Sequence, residues 1–159
     1  MREMRDGHIL LIEDNVDDEA LTLRALRQGG IQNPVFVSRN GDDALKRLMG
    51  DDSRNPLRNP RLPEFVLLDL QLPGVSGFDV LIGLRSHPST ASLPVIVLST
   101  SDEPGDILKC YELGANSYVQ KPVDFKAFVA AIAAMGVYWL LHNKPCPANH
   151  TSYKRPLTP

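Results

Sequence analysis

No stretch of this chain is long enough and apolar enough to cross a bilayer by simple count. The longest predominantly apolar segment, Ala127 to Leu141, falls short of the ~18 residues that a membrane span requires. Nor do the first residues form a secretory leader, because Met1 to Gly7 are charged rather than apolar. Cysteine is scarce, with only Cys110 and Cys146 and no Cys-x-x-Cys spacing, so neither a disulfide framework nor a zinc ribbon is expected. A reducing cytoplasm is the expected setting, with both thiols inert. The four histidines, His8, His87, His142 and His150, show no metal-binding spacing. With a formal net charge of −2 and no basic strip, the chain does not read as a nucleic-acid binder. No internal repeat is present.

What remains is the composition of an ordinary soluble domain. The chain has 159 residues, 43% hydrophobic and 23% charged, enough to bury a substantial core without staples. The expected organisation is a short extension over 1–7, one domain over 8–142, and a tail over 143–159. That tail carries Pro145, Pro147, Pro156 and Pro159, and it is too short and polar to be an effector domain.

Apolar runs and breakers then set out the elements. Residues 8–13, His-Ile-Leu-Leu-Ile-Glu, read as a buried strand ending in acid, with Asp14 next. Asp17 is the expected cap of a helix carrying Ala20, Leu23 and Leu26, stopped at Gly29-Gly30. A strand over 34–38 and a helix over 41–49 follow, with Ala44, Leu45 and Leu48 inward. Residues 50–63 are polar, hold three prolines and read as a long connecting loop. The strongest strand signal, Phe-Val-Leu-Leu-Asp-Leu-Gln-Leu-Pro over 65–73, delivers Asp69 to its end. After it come a helix from Phe78 to about Ser86, a strand over 94–98 leading into Ser99-Thr100-Ser101, a helix over 104–113, a strand over 117–120 and a last helix capped by Asp124 and running to about His142. Five strands alternating with five helices imply an α/β, doubly wound, five-stranded parallel sheet with helices on both faces.

In such a sheet the strand ends share one rim, where ligands collect. Glu13, Asp14, Asp69, Ser99 and Lys121 would meet there. Three crowded carboxylates raise one another's pKa unless a cation intervenes, and Mg²⁺, a hard ion that keeps several waters and coordinates phosphate oxygens, suits them. Phosphoryl transfer needs a nucleophile, a metal and fixed donors for the equatorial oxygens. Asp69 is the candidate nucleophile, forming an aspartyl phosphate; Asp14 and Glu13 the candidate metal holders; Lys121 and Ser99 the candidate phosphoryl binders. Asp17-Asp18-Glu19 reads as a helix start complementing the dipole.

The combination of Glu13-Asp14, Asp69 with Leu72-Pro73 and Gly77, Ser99, and Lys121-Pro122 resembles the receiver domain of two-component response regulators, a flavodoxin-like fold. The resemblance covers 8 to about 142. It implies that Asp69 accepts phosphate from a phosphohistidine of a sensor histidine kinase, that the backbone carbonyl of Gln71 completes a Mg²⁺ shell, and that Tyr118 rotates inward when Ser99 is drawn to the phosphoryl group. No enzyme activity beyond self-catalysed phosphoryl transfer and loss is implied. Two positions depart from the common pattern: Thr100 is bulkier than usual, and Glu13 replaces an aspartate, a methylene that water-mediated metal contact tolerates.

Between Ala127 and Leu141 there is no charge. Phe125, Phe128, Val129, Ile132 and Met135 can face the core, which leaves Val137, Tyr138 and Leu141 without obvious cover, as at an interface. The Val-Tyr-Trp-Leu ending, the loop before the Asp69 strand and the Pro-containing tail are similar to single-domain regulators that work with bacterial phytochromes. That similarity implies a homodimer through the last helix and a bacteriophytochrome as the kinase. The rival reading is a Mg²⁺-dependent phosphatase of the haloacid dehalogenase class, which also forms an aspartyl phosphate. It requires a second aspartate two residues after the nucleophile, where this chain has Gln71. A binding module that never takes phosphate is disfavoured by the intact acidic site.

Overall fold

The computed structural model describes residues 3–49, 62–121 and 124–147. The expected long loop over 50–63 therefore lies almost wholly outside the described residues, as do Pro122 and most of the tail. Five strands form one parallel sheet: β1 (Ile9–Ile12), β2 (Val35–Ser38), β3 (Val66–Asp69), β4 (Val95–Ser99) and β5 (Ser117–Gln120). They lie in the order β2-β1-β3-β4-β5, so β3 is central. The helices between and after them are α1 (Val16–Gln28), α2 (Gly41–Met49), α3 (Gly77–Ser86), α4 (Pro104–Glu112) and α5 (Phe125–Val137).

Every residue of β1, β3 and β4 is buried, as the unbroken apolar runs require of strands covered on both faces. Successive side chains feed two separate cores. Leu10, Ile12, Val66, Leu68, Val95 and Val97 pack with Ala44, Leu48, Val80, Leu81, Leu84 and Cys110, on the side of α2, α3 and α4. Ile9, Leu11, Leu67, Ile96 and Leu98 pack with Ala25, Leu26, Phe128 and Ile132, on the side of α1 and α5. The edge strands are less covered, and Phe36 on β2 is exposed. Cys110 is enclosed in the first core, and burial pushes its thiol up to about 11, so it has no reactive thiolate at neutral pH.

Two details of α1 differ from the sequence expectation. Its cap is Asn15, whose side chain accepts the Asp18 backbone N–H, not Asp17. Its buried residues are Thr22, Ala25 and Leu26 while Ala20 is exposed, because steps of three fall short of the 3.6-residue turn and drift off the inward face. The expected stop holds: Gly30 follows with a left-handed φ of +84°, which only glycine takes without penalty. Asp124 caps α5 as expected, accepting from the Lys126 N–H.

Beyond α5 the chain widens into one π-helical turn, Tyr138–His142. This turn buries Trp139 and Leu140 and leaves Tyr138 50% exposed. Arg5, in the N-terminal extension, fastens its end. The Arg5 guanidinium donates to the Trp139 carbonyl and, at 2.7 Å, to that of Asn143, its backbone N–H donates to the Leu140 carbonyl at 3.0 Å, and it pairs with Glu64. The continuous helix Phe125–His142 is 18 residues long with a mean hydropathy of 1.5, so the sequence count, which stopped at charged neighbours, underestimated it. By length and composition alone it could span a bilayer; here Phe128, Ile132, Trp139 and Leu140 are built into the core of an α/β domain, while only 22% of the segment is buried.

Candidate phosphoryl-transfer site

The order β2-β1-β3 makes the sheet turn in opposite directions from β1, which opens a crevice beyond the carboxyl ends of β1 and β3. The chain places its acids there. Glu13 follows the last residue of β1 and is 1% exposed; Asp69 ends β3 and is 7% exposed. Asp14 is exposed at the mouth. One carboxylate oxygen from each of these three lies within 4.8 Å of the others. Three hard oxygen donors, two walled in and one open to water, suit a divalent cation that retains part of its hydration shell.

Lys121 supplies the positive charge inside this pocket. It leaves β5 on the far side of β4, and its Nζ lies 2.8 Å from Glu13 Oε2, 3.1 Å from Asp18 Oδ2 and 3.3 Å from Asp69 Oδ2. The electrostatics follow from burial. Desolvation pushes Glu13 up to about 7, with Asp69 adding to the rise and Lys121 opposing it. For Lys121 desolvation acts downward, yet the hydrogen bond to Glu13 and the charges of Asp69 and Glu13 outweigh it, so its ammonium is held above the ordinary range. The pocket thus keeps a fixed cation among carboxylates that repel one another.

Backbone donors fix the acids. The Asn15 N–H donates to Glu13 Oε1 at 3.2 Å and the Gln71 N–H to Asp69 Oδ1 at 3.1 Å. Behind Asp69, α3 begins at Gly77 under a Ser76–Asp79 capping box. A Cβ at Gly77 would stand 2.5 Å from the Asp69 carbonyl oxygen and 2.6 Å from Leu70 Cα. Both neighbours are backbone, so any larger residue would displace the strand end that carries Asp69.

Ser99 closes the crevice from β4. It is buried, its Oγ accepts the Ser101 N–H at 3.1 Å, and its carbonyl accepts the Lys121 N–H at 2.6 Å. Tyr118 is half-buried against the α2–α4 core and its hydroxyl donates to the Ser101 carbonyl at 2.7 Å. Ser101 Oγ donates in turn to Asp106 on α4 at 2.7 Å. The loop after Ser99 is therefore linked both to the β5 aromatic and to α4. Thr100 is exposed at the mouth. We expect Thr100→Ala to speed acetyl phosphate labelling or phosphate loss by roughly threefold, about 0.6 kcal/mol in barrier, measured by time-resolved intact mass; unchanged rates of both would show that Thr100 does not restrict access.

Glu13, Asp14, Asp69 and Lys121 are thus brought together, and Ser99 adjoins them through its carbonyl on the Lys121 N–H. Asp18 and Ser101 were not expected to take part. Asp18 sits in the first turn of α1, directly after the strand end that carries Glu13 and Asp14, and its place at the start of the helix leaving the rim is the signal that could have found it. Glu19, the third acid of the same turn, pairs with Arg39 at 2.7 Å. Val137 and Leu141 are half-buried, and only Tyr138 of the three expected interface residues is exposed.

Comparison with known proteins agrees with this geometry. Residues 9–133 match the response regulator receiver domain. The "Probable methanogenesis regulatory protein FilR2" of Methanothrix harundinacea is 36% identical over 143 residues, 88% of each chain. Response regulator Rcp1 of Synechocystis sp. is 31% identical over 83% of this chain and 88% of its own, and its Mn²⁺-bound structure superposes with a TM-score of 0.75 over 89% and 99%. The bacteriophytochrome response regulator RtBRR is 44% identical over 91% of this chain and 86% of its own, with a TM-score of 0.70. This chain belongs to the response regulator receiver family, signalling proteins that accept a phosphoryl group.

Proposed function

We propose that Asp69 is the phosphoacceptor of a response regulator that takes its phosphoryl group from a sensor histidine kinase. The observation that supports this most directly is the pairing of a buried strand-end carboxylate, held by the Gln71 N–H, with the Lys121 ammonium 3.3 Å away. An Asp69 carboxylate oxygen forms the new P–O bond as the bond from phosphorus to the histidine nitrogen breaks. Lys121 and the Ser99 hydroxyl donate to the equatorial oxygens, where charge accumulates in the transition state. Glu13, Asp14, Asp69 and the backbone carbonyl of Gln71 would hold Mg²⁺. Bound there, Mg²⁺ neutralises charge on the moving phosphoryl group.

The signal leaves through the Ser99–Ser101 loop. A phosphoryl group on Asp69 offers an acceptor for the Ser99 O–H, whose oxygen accepts from the Ser101 N–H, so drawing the hydroxyl inward pulls on the loop, and Tyr118 is the element that reads the change. No second activity is needed for this output. The phosphatase reading is weaker because Gln71 stands where that class needs an acid. In this reading the chain works in the cytoplasm, without nucleic-acid or membrane contact of its own, through a receiver domain over 8–142.

The decisive test is incubation of the wild-type protein with acetyl phosphate and Mg²⁺, followed by intact mass and peptide mapping. One phosphoryl adduct on the peptide containing Asp69, absent when EDTA is added, is expected. No adduct, or steady turnover of small phosphate esters, would overturn the proposal.

The similarity to RtBRR and Rcp1 supports a bacteriophytochrome as the kinase partner. A homodimer through α5 and the turn after it fits the exposed, uncharged stripe of Ala127, Ala130, Ala131, Ala134 and Tyr138, which lies on one helical face. Light scattering at micromolar concentration should give a dimer, reduced to monomer by Ala134→Glu. A wild-type monomer under those conditions would count against the interface.

A further inference from the structure

We infer that Asp18 is a positioning residue for the phosphoryl-transfer lysine: it holds Lys121 toward α1 in the unphosphorylated state and so restrains phosphate acceptance at Asp69. The inference rests on the phosphoacceptor reading and adds to it a carboxylate outside the expected set. Lys121 donates hydrogen bonds to Glu13 at 2.8 Å and to Asp18 at 3.1 Å, whereas Asp69 lies 3.3 Å away as an ion pair without a hydrogen bond. Asp69, the reacting group, has the longest of the three contacts. Asp18 belongs to α1 and is not in the three-carboxylate cluster that fits a cation, so its effect acts through the lysine.

The restraint follows from charge and direction. Lys121 is anchored through its backbone N–H to the Ser99 carbonyl, so its ammonium can shift only by swinging its side chain between α1 and the Asp69 oxygens. Asp18 attracts it to one side of that swing. When a phosphoryl group arrives, the ammonium is drawn to the other side, and the Asp18 contact must be given up or shared. A negative charge at Asp18 also opposes the incoming dianion. Both effects disfavour the phosphorylated state relative to the free one, and both weaken when the carboxylate becomes a neutral amide.

The test compares the time course of acetyl phosphate labelling in Mg²⁺ for wild type, Asp18→Asn, Asp18→Ala and Asp17→Asn, read by intact mass. Asp18→Asn and Asp18→Ala should both label about fivefold faster, the size expected when a half-exposed ion pair is removed, while Asp17→Asn keeps the wild-type rate. Lysine-ammonium NMR of the metal-free proteins supplies a readout independent of phosphorylation: one ammonium signal should move in both Asp18 variants and stay fixed in Asp17→Asn. Wild-type labelling rates in a folded Asp18→Asn, or acceleration in Asp18→Ala without it in Asp18→Asn, would overturn the inference while leaving Asp69 as acceptor. Absence of any adduct in the wild type would overturn the acceptor reading and the inference together.

Discussion

Asp69→Asn is expected to abolish the phosphoryl adduct and, at the same time, to make the metal-free protein more stable. An amide oxygen has no pair of electrons comparable in nucleophilicity to a carboxylate's, so labelling by acetyl phosphate should fall below detection. The stability change has the opposite sign because the crevice is overcrowded with acid. Glu13, Asp14 and Asp69 bring carboxylate oxygens within 4.8 Å of one another, and Lys121 is also shared with Asp18. Asparagine keeps an oxygen to accept the Gln71 N–H and removes one of the repelling charges. Glu13 should then ionise at lower pH, since Asp69 is among the groups that raise it. We expect a gain of about 1 kcal/mol, seen as a melting temperature higher by about 3 °C. An adduct on Asp69→Asn would place the acceptor elsewhere. A metal-free variant less stable than wild type would show that Asp69 is held by attraction rather than strained by repulsion.

Arg85→Met is expected to be the most destabilising of these substitutions. Arg85 is 7% exposed in the last turn of α3. Its guanidinium donates to the carbonyls of Thr90, Ala91 and Leu93 in the α3–β4 connection, at 3.2, 3.2 and 2.8 Å, and to the Gly114 carbonyl and Asn116 Oδ1 before β5, at 2.8 and 3.0 Å. Methionine fills much of the same volume but donates nothing. Several buried carbonyls would lose a partner that water cannot reach to replace, at a cost of about 3–5 kcal/mol in all. Chemical denaturation should show that loss, with Arg85→Lys recovering only part of it, because an ammonium cannot reproduce the planar fork. The effect should extend to signalling: the Gly114–Asn116 segment leads into β5, which carries Tyr118 and is followed directly by Lys121. Full recovery by lysine would mean that charge, not the fork of donors, fixes these loops.

The fold was legible because the apolar runs of β1, β3 and β4 and the breakers between elements are local signals, and burial on both faces of a parallel sheet demands them. The site was legible for a related reason. Strand ends in a parallel sheet share one rim, so acids, hydroxyl and lysine at the ends of four runs had to converge. Contacts made by long side chains across elements left no such trace. Nothing in the sequence distinguishes Arg85, buried and sharing its donors among loop carbonyls, from a surface arginine that complements a helix dipole. Arg5 reads as part of a charged extension but clamps the final turn of the chain. Asp17 and Asp18 are alike in sequence, and the choice of Asn15 as cap sets the helix phase that sends Asp18 toward Lys121.

The sequence by itself determined the strand and helix order, the parallel sheet and the residues that gather at its rim, since these depend on hydrophobic period and chain direction alone. The tertiary structure decided how the charges there are shared. Lys121 donates to Glu13 and Asp18 and pairs by charge with Asp69, and Tyr118 is tied to the Ser101 carbonyl. Those outcomes depend on distances of a few ångströms between side chains far apart in sequence, and such distances are fixed only when the two cores have packed the helices against the sheet.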